Sequence, residues 1–182
     1  MARLKYLDKS DLAEKDQDLL ARNINLFRAL VHSPNAARAF SGLGGFIRHQ
    51  SKADPRLREL AILQVGWLSK SPYEWSHHIK IGYDFGVTDD DIRGLIDDTA
   101  GKPTALDETT KLVLQMAREM TLEGGGSEAS FTALGTKMSS ELLLDLTMTI
   151  AFYNAVVRVL ATLQIDVEPE YMPYLVKFPL PK

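Results

Sequence analysis

Residues 59–85, ELAILQVGWLSKSPYEWSHHIKIGYDF, decide the fold. Glu59, Ile62, Leu63 and Gly66 recur at i, i+3, i+4 and i+7, the spacing of one face of a helix. Glu74, His78, Ile81 and Phe85 form a similar stripe on a second helix. The break from Leu68 to Ser71 is short enough to fold the two against each other as an antiparallel pair. A carboxylate on an apolar stripe is costly unless it is paired. Glu59 should therefore find a donor on the facing helix, and His78 is placed to be that donor.

The signals flanking this pair agree with it. Asp54-Pro55 is an N-cap followed by proline at the first helical position, and Ser71-Pro72 repeats the device. Ser71 and Glu74 also have the spacing of a capping box, in which Ser71 accepts from the backbone of residue 74 and the Glu74 carboxylate returns to the backbone of residue 71. The other reading of Ser71, a nucleophile, lacks a Gly-x-Ser-x-Gly elbow.

Outward from the pair, 1–16 reads as a loosely attached arm. From about Asp16 to Val31 a helical pattern carries Leu19, Leu20, Ile24, Phe27 and Leu30, and Ser33-Pro34 ends it. A helix over 35–48 follows, with Gly42, Gly44 and Gly45 permitting close backbone approach. A short helix over 89–98, with acid in its first turn, comes before a break at 101–103. Beyond it, helices over 107–121, 128–134 and 139–163 read as a degenerate second copy of the same plan, with Ala129 where His78 would stand. The pattern predicts an all-α single domain over 17–167, with pseudo-halves of about 17–100 and 105–165. The tail, 168–182, contains Pro169, Pro173, Pro179 and Pro181 and is expected to lie extended over a surface. No stretch alternates like a strand.

With these residues in place, the chain resembles the carboxymuconolactone decarboxylase family, the AhpD-like fold. The resemblance rests on a Glu, a residue twelve positions on at the mouth of the next helix, then Tyr-Glu-Trp and a His four after that Glu. Arg28-Ala29-Leu30, the DPRLREL of 54–60 and the FYNAVVR of 152–158 also look like landmarks of the family. In its peroxidase branch a Cys-x-x-Cys leads to a His, and an upstream Glu forms the proton relay. By this resemblance Glu59 matches the relay Glu, Ser71 and Glu74 the two Cys, and His78 the His. The chain has no cysteine. A hydroxyl neither ionises near neutrality nor cycles through a sulfenic acid, so thiol peroxidase activity is not expected. The resemblance implies an AhpD-like bundle, a homo-oligomer (trimer or hexamer) and cofactor-free chemistry on a small carboxylated lactone or conjugated acid.

The 182 residues carry 45% hydrophobic and 25% charged side chains and a formal charge of −3. This composition is that of a globular protein without an electrostatic footprint for nucleic acid or an anionic membrane. No apolar run approaches the length of a membrane span, and the first residues lack a signal-peptide core, so a cytoplasmic protein is expected.

His78, Glu59, Glu74 and Tyr73 are the candidate catalytic residues, because two acids beside one histidine raise its pKa and fix its tautomer. The bland readings are a core histidine and a helix-to-helix tie. Ser71, Trp75, Asn154 and Arg158 are candidate substrate contacts, Arg158 for a carboxylate. Tyr153, Asn154 and Arg158 share one side of the last helix, which by the family resemblance helps wall the pocket, and they read equally well as a polar stripe tying helices or subunits together, while Trp75 reads as core. His77, about 100° around the helix from His78, is expected at a surface or interface. A ferritin-like metal site needs Glu-x-x-His in duplicate, whereas Glu-x-x-x-His occurs here once, so no metal or cofactor is expected. Two functions fit: a lyase or isomerase using His/Glu acid–base chemistry, and a non-catalytic small-acid binding or assembly module with a structural Glu59–His78 pair.

Overall fold

The computed structural model describes residues 2–181, and among them the chain forms α-helices, short 3-10 turns and no strand. At the centre is the helix Pro55–Leu68 (here α3), started by Asp54, whose side chain accepts from Leu57 N at 2.9 Å. Every residue from Arg58 to Gly66 is buried, because α3 is covered on all sides. It packs against α4 (Pro72–Asp84), α6 (Glu108–Leu122) and α8 (Ser140–Leu163), with α5 (Asp89–Thr99) beside it and the short α7 (Glu128–Gly135) against α6 and α8.

Two apolar clusters flank α3. Ala61, Ile62 and Val65 meet Val113, Ala117 and Ile150 on one side, and Leu60 and Leu63 meet Trp75, Ile79, Ile92 and Leu95 on the other. A side chain at Gly66 would stand 3.3 Å from the backbone nitrogen of Trp75. That glycine lets α3 and α4 approach closely enough for Glu59 and His78 to meet.

Before α3 come α1 (Asn25–Leu30) and α2 (Pro34–His49). The single helix expected over 16–31 is two elements, a 3-10 stretch over Glu14–Leu20 and then α1. The break is tertiary in origin. Asn25 N donates to Glu168 Oε1 at 2.6 Å and Leu26 N to the Tyr73 hydroxyl at 3.3 Å, so side chains from elsewhere cap a new helix start.

The N-terminal arm is also not loose. Arg3 N donates to Leu163 O at 2.8 Å and Asp166 N to the Tyr6 hydroxyl at 2.8 Å, joining the two ends of the chain. The tail is not extended: Pro169–Tyr171 is a 3-10 turn and Met172–Lys177 is the helix α9, lying against α4. Proline is tolerated in the first turn of a helix, where its missing N–H would have no partner. Finally, the 24 residues of α8 are long and apolar enough to cross a membrane by length and composition, contrary to expectation. Its inward face, including Leu146, Ile150, Val157 and Leu160, is core.

Candidate active site

α3 and α4 bring together a buried chain of charges. His78 Nδ1 lies 2.7 Å from Glu59 Oε2, and Nε2 lies 2.9 Å from Glu74 Oε1. Behind Glu59, Arg58 donates to its Oε1 from Nη2 at 3.0 Å and Nε at 3.2 Å. Glu59, Glu74 and His78 are 1%, 3% and 5% exposed, so these pairs are shielded from water. Burial lowers the pKa of His78, but the Glu74 and Glu59 carboxylates outweigh it and raise the value to about 9. The ring is therefore an imidazolium at neutral pH. Burial likewise raises Glu59, and the charges of His78 and then Arg58 overcome this and hold it below the usual carboxylate range. Glu74 Oε1 meets His78 at ion-pair distance without the direction of a hydrogen bond, which leaves a buried carboxylate oxygen with no hydrogen-bond partner among the described residues.

A cavity of about 470 Å³ opens onto this chain. Glu74, His78 and Tyr153 line its base, and Phe40 and Phe152 an apolar wall. Arg22, Arg48 and His49 add a basic side. Tyr153 meets the His78 ring edge-on at 4.9 Å, and its hydroxyl makes no hydrogen bond among the described residues. Burial, then the Glu74 and Glu59 charges, raise the Tyr153 pKa, so its hydroxyl keeps its proton. Glu59 stands behind His78 and does not line the cavity. Among the described residues no group of three His or carboxylate side chains is arranged to hold a metal.

The other expected residues fall elsewhere. Ser71 accepts from Glu74 N at 3.4 Å, but the Glu74 carboxylate turns to His78 instead of closing the capping box. Ser71 borders a separate cavity of about 190 Å³. Trp75 is wholly buried in the opposite cluster, where Nε1 donates to Phe178 O at 2.8 Å. Asn154 donates to Thr121 Oγ1 at 3.1 Å and Arg158 to Asn154 Oδ1 at 2.9 Å, so these two form a polar tie outside the cavity.

Tyr73 lines the cavity, but its hydroxyl is engaged by Glu168 at 3.1 Å and by Leu26 N. His77 is not at a surface. It is 3% exposed and stacked between Tyr73 and Tyr171, with ring centroids at 3.9 and 3.6 Å. Its Nδ1 donates to the Tyr73 carbonyl at 2.8 Å, and Nε2 lies 3.0 Å from Glu168 Oε2. The folded tail supplies two of these partners, and nothing local to His77 announces them. Glu168→Ala, which strands the Asn25 amide and His77, is expected to lower stability by about 1–3 kcal/mol in a urea titration.

Arg22 and Arg48 are cavity residues that pattern reading missed, whereas Tyr153 is the one of the three polar residues expected on the last helix that lines the cavity. The one available signal is on α2, where Gly44 and Gly45 line the cavity and Arg48 follows Gly44 by one turn.

Comparison with known proteins follows the same lines. Residues 34–106, which contain Glu59, Glu74 and His78, match the Carboxymuconolactone decarboxylase family. No curated protein matches the sequence. Among solved structures, an AhpD-core peroxidase-related protein from Ralstonia eutropha JMP134 is similar at a TM-score of 0.78 and 18% identity, over 96% of this chain and 95% of that one. A peroxidase-related protein from Silicibacter sp. TM1040 is similar at 0.69 and 17% identity, over 94% and 97%. The debrominase Bmp8, solved as a cysteine-to-alanine variant with 2,3,4-tribromopyrrole, is similar at 0.76 and 18%, over 97% and 99%. The debrominase shows that this fold hosts varied chemistry. The chain thus has an AhpD-like all-α fold without a cysteine, and over residues 34–106 it matches the carboxymuconolactone decarboxylase family.

Proposed function

We propose that the protein is a cofactor-free lyase or isomerase of the lactone decarboxylase type, acting on a small carboxylated lactone or conjugated acid. The observation that carries this reading is the Glu59–His78–Glu74 chain, buried yet open to the cavity through His78 and Glu74. In a decarboxylation the C–C bond to the carboxylate breaks, CO2 leaves, and the electron pair is delocalised toward the carbonyl oxygen. The Tyr153 hydroxyl stabilises that oxygen by donating a hydrogen bond. The His78 imidazolium delivers a proton to carbon and regains one from water, while Glu59 holds the ring and Glu74 stabilises its charge. An isomerisation uses the same groups, with Glu74 Oε1 as the proton acceptor.

The fold relation and the cavity chemistry support this reading over a purely structural Glu59–His78 pair, which has no need of an open cavity beside it. The same reading has the protein act in the cytoplasm as a trimer or hexamer, for which the exposed Leu144 and Met148 of α8 offer an apolar contact.

The test is turnover of 4-carboxymuconolactone and a small panel of carboxylated lactones and conjugated keto acids, followed by ultraviolet absorbance. His78→Ala is expected to slow it by about 100- to 10,000-fold, and Tyr153→Phe by about 100-fold. Turnover by wild type that survives both changes would sink the mechanism.

A further inference from the structure

The charged side chains lining the cavity are not all paired. Asp18 is held by Arg38 at 2.8 Å, and Glu59 and Glu74 are taken by Arg58 and His78. Glu168 is opposite His77. Arg22 and Arg48 remain, and neither has a carboxylate within ion-pair distance among the described residues, although both line the cavity. A guanidinium stays protonated under all ordinary conditions, so the cavity lining holds two positive charges with no carboxylate at ion-pair distance among the described residues. The Arg22 guanidinium is drawn over the Phe27 ring, 5.4 Å from its centroid. Burial and then the Arg48 charge lower the Arg22 pKa, and both side chains line the same cavity.

We infer that Arg22 and Arg48 form a two-pronged site for an anionic group of the ligand, one that the reaction leaves in place. Guanidinium groups match carboxylates in planar, bidentate geometry. A carboxylate about to leave as CO2 gains nothing from such a grip, because pairing its charge stabilises the ground state more than the transition state. The anchored anion is therefore the non-reacting one, and it directs the reacting carbon toward His78 and Glu74. Phe40 and Phe152 offer an apolar wall for the ring or conjugated body between them. The direction of the reacting carbon rests on the proton-transfer reading above, whereas the anion site does not.

Calorimetric titration with benzoate, isophthalate and benzamide tests the site. The two acids are expected to bind, and benzamide, which keeps the ring but lacks the charge, at least about ten-fold more weakly. Arg22→Gln and Arg48→Gln should each weaken benzoate by about ten-fold at an unchanged melting temperature. Arg48→Lys, which keeps the charge but loses the fork, should fall between and guards against a folding defect. Equal binding of benzoate and benzamide, undiminished binding in the arginine variants, or no binding of either acid would overturn the site. Failure of the two readings is distinguishable. Benzoate binding that depends on the arginines, with no turnover of any lactone, retains the site and rejects the proton transfer. Turnover that Tyr153→Phe slows, with unchanged benzoate binding in the arginine variants, does the reverse.

Discussion

Glu59→Leu is expected to cost the fold about 3–5 kcal/mol, the usual result of removing one member of a buried ion group. Arg58 loses its carboxylate partner and His78 one of its two. Arg58 is 2% exposed and keeps only the Ile47 and Arg48 carbonyls, both at 3.4 Å, and the Phe85 ring at 4.6 Å. His78 keeps Glu74 alone. The leucine packs well enough, so the loss is electrostatic. Combining Glu59→Leu with Arg58→Met should therefore recover part of it, because an apolar replacement of both partners leaves one fewer charge stranded. Urea unfolding of the three proteins measures this. A loss under about 1 kcal/mol in the single variant would mean that water reaches these groups.

The second large effect is on pH dependence. The His78 value of about 9 lies above its ordinary 6.5, so the protonated ring favours the folded state. This stabilisation is fully present below pH 6.5 and is lost as the pH rises through about 9, a loss of about 3 kcal/mol. Glu59, held below the carboxylate range, contributes stability that is present above its ordinary 4.5 and lost as the pH falls through its folded value. The two statements describe one interaction seen from each partner and are not added. Stability should therefore be level between about pH 4.5 and 6.5 and fall on both sides.

Activity should follow the alkaline limb, because the proton donor is the imidazolium. Glu74→Gln removes the carboxylate that raises His78 most, and should bring that limb down toward neutrality. Melting temperature and turnover measured across this range decide it. A limb that stays in place in Glu74→Gln would show that Glu74 does not hold the His78 proton.

The legible part of this protein is local. The spacing of Glu59, Ile62, Leu63 and Gly66, the stripe from Glu74 to His78, and the proline starts at 55 and 72 are consequences of helical geometry, and the structure keeps them. A carboxylate on an apolar stripe demands a partner, and one short connection left His78 within reach. The Glu59–His78 contact could therefore be anticipated.

What local pattern could not supply was everything that depends on a distant segment. Tyr73 and Glu168 start α1 at Asn25, and the folded tail buries His77 against Tyr171, so an apparent surface histidine is core. Which polar residues of α8 face the cavity is set by how α8 packs on α3. That packing turns Tyr153 inward and leaves Asn154 tied to Thr121.

By itself, the sequence determined the helices between residues 34 and 163, their order, the absence of thiol chemistry and the acid–histidine pair, because each follows from covalent composition or from 3.6-residue periodicity. Only the tertiary structure decided the cavity, its arginines and the roles of the two tyrosines. Burial and distance between segments far apart in the chain are properties of packing, and no local spacing encodes them.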